Sequence, residues 1–116
     1  MKPVQLHHTS IRVDDLERSR AFYERILGMS ALERPNFPFA GRWYGLGAGQ
    51  LHLIEAPAPG PGLNPTGPHF AVEVDDLDAA RRELAAAGLE VLDSGGNQLW
   101  VRDPDGYTVE LTGPLR

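Results

Sequence analysis

Cysteine is absent from the 116 residues, which excludes disulfides, thiolate metal ligands and thiol nucleophiles together. Positive charge is scarce too: Lys2 is the one lysine, the arginines are scattered, and 11 basic residues stand against 16 acidic ones for a net charge of −5. With no basic face to neutralise phosphates, nucleic acid is not an expected partner. No stretch approaches the roughly 18–20 uninterrupted apolar residues of a spanning helix, so no membrane partner is expected either. Met1 to His8 lack the apolar core and small-residue cleavage site of an export signal, and the expected location is the cytoplasm. At 41% hydrophobic and 23% charged residues the chain is too apolar for disorder, and its length suits one globular domain.

Proline and glycine are present but crowded. Ala56 to Pro68 reads APAPGPGLNPTGP, with five prolines and three glycines in thirteen residues, a segment that neither a helix nor a central strand survives. It divides the domain into a first module, residues 1–55, and a second, residues 69–116, joined by the linker 56–68. A shift of 61 positions lays His8, Val13, Asp14, Asp15, Leu16 and Arg20 over His69, Val74, Asp75, Asp76, Leu77 and Arg81, which is the mark of an internal repeat.

Each module opens on period-two alternation, over His8–Val13 and His69–Val74, and so on a strand with Thr9, Ile11 and Val13, or Phe70, Val72 and Val74, turned to the core. Asp14 with Glu17, and Asp75 with Asp78, predict helix starts. Leu16, Tyr23, Ile26 and Leu27 form one apolar stripe, and Leu77, Ala80, Leu84 and Ala87 another, with Gly28 and Gly88 as stops. Strands are expected near Ala31–Arg34, Arg42–Leu46 and Gln50–Glu55, then near Glu90–Asp93, Gln98–Arg102 and Tyr107–Thr112, with a turn at Asp103–Gly106. The fold class is α+β: two βαβββ modules forming a curved mixed sheet.

The chemistry lies on the side of the strands away from the helices. That parity selects His8, Ser10 and Arg12 on the first strand, His52 on the fourth, His69 and Glu73 on the fifth and Glu110 on the eighth. The separations, 44 residues from His8 to His52 and 41 from His69 to Glu110, nearly match. If a pseudo-two-fold axis relates the modules, His8, His52, His69 and Glu110 converge. Three imidazoles and a carboxylate without a thiolate suit one divalent ion, Zn, Ni, Co, Mn or Fe, with positions left open to chelate a small molecule through two adjacent oxygens and to stabilise an anion as a Lewis acid. Four residues at matched parity outweigh the ordinary reading of a lone strand histidine as a surface group.

The segments His8-Thr9-Ser10-Ile11-Arg12-Val13-Asp14-Asp15-Leu16-Glu17-Arg18-Ser19, Phe22-Tyr23, Leu27-Gly28, Gln50-Leu51-His52-Leu53, Gly67-Pro68-His69-Phe70, Asp103-Pro104-Asp105-Gly106-Tyr107 and Glu110-Leu111 together resemble the vicinal oxygen chelate superfamily, the group of glyoxalases, bleomycin-resistance proteins and extradiol dioxygenases. The likeness runs over nearly the whole chain outside the linker and is specific for the fold, not for a reaction. It implies His8, His52, His69 and Glu110 as the metal ligands, Glu110 as a group able to act as base, and a homodimer whose metal sites are often completed by both chains. At His52 the chain departs from bacterial-type glyoxalase I enzymes, which carry a glutamate there. His8, His69 and Glu110 alone are the two-His-one-carboxylate set of Fe(II) oxygenases.

The expected activity is that of a divalent-metal-dependent glyoxalase-like enzyme, lyase or isomerase, acting on a small molecule with vicinal oxygens. An Fe(II) extradiol-type dioxygenase and a metal-free antibiotic-binding resistance protein are the alternatives. Glu73 is a second candidate base, against the plainer reading of a solvated strand residue. Phe37, Phe39, Trp43 and Tyr44 form either a wall for an apolar substrate or the end of the core or a dimer contact. Trp100, Arg12 and Arg102 lie on the presumed cleft side, where either arginine can pair with a substrate carboxylate.

Overall fold

A computed structural model describes residues 2, 4–58, 63–65 and 69–114. Of the linker 56–68, residues 59–62 and 66–68 lie outside the described residues. The chain divides into two compact units, Met1–Pro59 and Gly60–Arg116. Each has the same order of elements.

In the first unit strand β1 (His8–Val13) leads into helix α1 (Leu16–Arg20), which runs on through a wider π-type turn over Ala21–Ile26. Strands β2 (Ser30–Leu32), β3 (Gly41–Leu46) and β4 (Gly49–Glu55) follow. In the second, β5 (Phe70–Glu73) is followed by α2 (Leu77–Ala86), β6 (Val91–Leu92), β7 (Gln98–Arg102) and β8 (Thr108–Thr112). The sheets have the orders β1-β4-β3-β2 and β5-β8-β7-β6. The first and last strands of each unit pair in parallel and the remaining pairs are antiparallel, so each sheet is mixed. A parallel pair needs a crossover, and the helix supplies it. No helix of the described residues is long and apolar enough to cross a membrane.

The expected inward residues make the core. Ile11 and Val13 of β1, Leu51 and Leu53 of β4, Leu99 and Val101 of β7 and Val109 and Leu111 of β8 are all buried, along with Leu77, Ala80 and Leu84 of α2. Phe70 and Val72 are half-buried, and Ala87, which lies just past α2, is exposed. The strand β5 is shorter than expected: His69 precedes it and Val74 follows it.

Each helix cap is the second aspartate of its pair, one residue later than the alternation predicts. Asp15 accepts a hydrogen bond from the Arg18 amide at 3.2 Å and Asp76 from the Ala79 amide at 3.0 Å. The strand β1 persists through Val13, so one residue is needed to leave the sheet, and Asp14 fills it while accepting from the Ala58 amide at 2.7 Å. At the other end Gly28 and Gly88 take φ of 73° and 70°. This left-handed conformation is the one glycine adopts without a Cβ penalty. The π-type turn, marked by the 3.0 Å bond from the Leu27 amide to the Phe22 carbonyl, was not foreseen. It broadens the helix locally and sets two successive rings, Phe22 and Tyr23, both buried, against the sheet.

Beneath that turn lies a charged network. Glu24 accepts hydrogen bonds from Arg20 Nε at 2.9 Å, from Arg42 Nε at 3.0 Å and from the Tyr44 hydroxyl at 2.8 Å. Partial burial pulls the Glu24 carboxyl upward, but the three donors outweigh it and hold the group below its ordinary value of 4.5. Burial first, and the neighbouring carboxylate second, push the Tyr44 phenol far up. A carboxyl whose folded-state pKa is depressed stabilises the fold fully above the ordinary carboxylate range, and that contribution vanishes as pH falls through the lower folded value. Glu24→Gln is therefore expected to cost about 2 kcal/mol near neutral pH, by analogy with hydrogen bonds to charged groups. In urea unfolding the parent and variant should converge as the solution is made acid.

Candidate metal and substrate site

On the helix-averted side of the first unit, register alone assembles an aromatic stack. The parallel ladder pairs Ser10 with His52 and His8 with Gln50, and the antiparallel ladder pairs Trp43 with His52. His8 thus sits diagonal to His52, within reach of a ring on the same face. The imidazole of His52 lies between two others: the Trp43 ring at 4.0 Å, tilted by 2°, and the His8 ring at 4.2 Å, tilted by 15°. It is only 7% exposed. His52 Nε2 donates to Gln50 Oε1 at 2.8 Å, and the Nδ1 atoms of His7 and His8 share a hydrogen bond of the same length. Burial first, then the nearby His8, His7 and Arg34, lower the pKa of His52. The shift favours the neutral imidazole, the form with a lone pair to offer.

The second unit repeats the arrangement. Ala71 pairs with Glu110, so His69, two residues earlier, holds the place that His8 holds before Ser10. Trp100 pairs with Glu110 as Trp43 pairs with His52. His69 Nε2 and Glu110 Oε1 are 3.1 Å apart, and Trp100 Nε1 donates to the same oxygen at 3.1 Å.

The four expected ligands therefore come together as two pairs, one per unit. Among the described residues no group of three His, Asp or Glu side chains gathers as a metal site. The donor types nevertheless suit a divalent ion: three imidazoles and one carboxylate, with no thiolate. The spacing of the second pair fits as well, since two ligands each about 2.1 Å from one ion and at right angles stand about 3 Å apart.

The residues expected to touch substrate separate. Phe39, 45% exposed, stacks on Phe37 with centroids 5.3 Å apart, and Phe37 in turn meets Trp43 at 6.1 Å. The Arg34 guanidinium lies about 5 Å from both phenylalanine rings, at 5.1 and 5.0 Å, and donates to the Phe39 carbonyl at 2.8 Å. Tyr44 does not belong with them. It alternates with Trp43, so it faces the helix, fully buried, with its hydroxyl on Glu24, and it is a core residue. Arg12 and Glu73 are exposed on their strands, and Arg102 is half-exposed with Glu90 at 3.7 Å. Gln50 and Arg34 were not singled out from the sequence. Period two puts Gln50 on the face of His52 but assigns it no role, and Arg34 lies in a loop without periodicity.

A family model of the Glyoxalase/Bleomycin resistance protein/Dioxygenase superfamily matches residues 5–111. The chain belongs to that superfamily. Among curated relatives it is 29% identical over 120 residues to "Glyoxylase I 4" of Arabidopsis thaliana, covering 91% of this chain and 68% of that one. It is 32% identical over 127 residues to a lactoylglutathione lyase of Haemophilus influenzae, covering 93% and 91%. A crystal structure of a glyoxalase family protein from Bacillus anthracis superposes with a TM-score of 0.82 at 24% identity, over 99% of both chains, and so shares the fold.

In this superfamily member the stacked histidine is structural glue as well as a metal-ligand candidate. His52→Ala removes two ring contacts, each worth about 0.5–1.5 kcal/mol, and is expected to lower stability by about 1–3 kcal/mol. Thermal unfolding measures the loss, and a red-shifted tryptophan emission should accompany it as Trp43 gains water.

Proposed function

We propose that the protein is a divalent-metal-dependent enzyme of glyoxalase-like lyase type whose substrate is a small molecule with oxygens on adjacent carbons. One observation carries the reading: the two repeats bring His8 to His52 and His69 to Glu110 at equivalent register positions on the helix-averted sheet faces. Names of relatives, lactoylglutathione lyase among them, support the same class of reaction. His8, His52, His69 and Glu110 are the ligands. A bound divalent ion would supply a Lewis acid that polarises a carbonyl and acidifies the neighbouring C–H.

The chain's own groups do the rest. Glu110 Oε1, already hydrogen-bonded by His69 and Trp100, is the carboxylate placed to take a proton from one carbon and return it to the next. Glu73, exposed on β5, is the second candidate for that role. Phe37 and Phe39 offer an apolar edge to the substrate, and Arg12 or Arg102 offers a cation to a carboxylate on it. Two copies of so small a core gain by pairing, and we propose a homodimer.

Untagged protein is expected to hold a divalent ion, and His8→Ala, His69→Ala and Glu110→Ala to weaken that ion's affinity at least about tenfold, as measured by calorimetric titration. With an adduct of a 2-oxoaldehyde and a thiol as substrate, deuterium from D2O should enter the product at the carbon that receives the proton. Three variants that bind the ion as tightly as the parent would overturn the shared site. Undiminished affinity in His52→Ala alone, together with oxygen uptake on a catechol, would move the reading to the three-ligand Fe(II) dioxygenase.

A further inference from the structure

The chain has two tryptophans, and both occupy one position of the repeat. Trp43 stands on the third strand of its unit opposite His52, and Trp100 on the third strand of its unit opposite Glu110. The next strand outward carries a leucine opposite each, Leu32 and Leu92. The repeat therefore conserves a row of leucine, tryptophan and fourth-strand ligand in both halves, although the ligand itself differs.

What each tryptophan does differs with the ligand. An imidazole has a face to be held, and Trp43 holds it by parallel stacking at 4.0 Å with a 2° tilt. Gln50 pins the same ring within its plane through Nε2 at 2.8 Å. A carboxylate has no face worth stacking but has lone pairs, and Trp100 turns its indole N–H to Glu110 Oε1 at 3.1 Å. That bond and the one shared with His69 both fall on Oε1, which limits rotation of the carboxylate about its terminal bond. Groups that orient a metal ligand without touching the metal are worth about 10–100-fold in metal affinity.

We infer that Trp43 and Trp100 are a matched pair of positioning residues, each fixing the orientation of its repeat's fourth-strand ligand for the divalent ion. The inference rests on the metal-dependent reading above. It assigns the tryptophans to the ligands and not to the substrate wall, so their loss acts on metal binding in the absence of any substrate.

Co(II) is the probe, titrated into untagged, metal-stripped protein while visible absorption and tryptophan emission are recorded. Trp100→Phe keeps the ring's bulk but removes the donor. It is expected to weaken Co(II) binding about tenfold or more and to alter the ligand-field band, with the far-ultraviolet circular dichroism of the parent. Trp43→Phe retains a face for His52 and should bind within about threefold of the parent, whereas Trp43→Leu should lose about tenfold. In each Phe variant the remaining tryptophan should still change its emission as Co(II) is added. If Trp43→Leu does not fold, the Trp100→Phe affinity and band decide alone. A parent that binds Co(II), with Trp100→Phe matching it in affinity and spectrum, overturns the positioning role and leaves the metal reading standing. A parent that binds no Co(II) overturns both.

Discussion

The parallel pairing of the first strand with the last in each repeat is the constraint on which the rest depends. Two parallel neighbours cannot be joined by a hairpin, so the chain must cross over, and here it does so with a helix. Once the helix covers one face of a four-stranded sheet, inward positions are committed to Leu, Val and Ile, and the opposite face is free to carry polar groups. The same ladder sets which polar groups meet. His8 lies two residues before the partner of His52, and His69 two residues before the partner of Glu110, so one register rule builds both pairs.

The two faces of the first unit are electrostatically sorted. The helix side holds the Glu24 carboxylate, neutralised by Arg20 and Arg42 and by the Tyr44 hydroxyl. The other side holds His7, His8, His52 and Arg34, and there burial, with these neighbours adding to it, lowers the pKa of His52. The second unit differs in sign: its pair includes Glu110, which Trp100 and His69 meet through ring nitrogens where Trp43 and His8 meet His52 through their ring faces. Duplication followed by divergence at one register position has thus produced an imidazole in one half and a carboxylate in the other.

Where the reading from sequence fell short, the reason is local geometry. Consecutive aspartates at 14–15 and 75–76 are interchangeable to a pattern of charges, and only the length of the preceding strand decides that the second one caps the helix. Tyr44 was grouped with Trp43 because both are aromatic neighbours in sequence. Strict alternation along β3 sends one to the core and the other to the open face. The π-type turn has no signature in the apolar stripe, because Phe22 and Tyr23 fit an ordinary helix nearly as well.

The strand parity, the repeat, the glycine stops and the identity of the candidate ligands could all be determined from the chain alone, because period two, period 3.6 and a fixed spacing are properties of covalent order. Tertiary structure alone decided that His52 is held between His8 and Trp43, that the Trp100 indole donates to Glu110, that Gln50 bonds His52, and that Arg34 lies against Phe37 and Phe39. Those facts depend on which strand lies beside which and in what register. Strand ladders whose paired residues lie 3 to 42 positions apart set that, and no local pattern encodes the register.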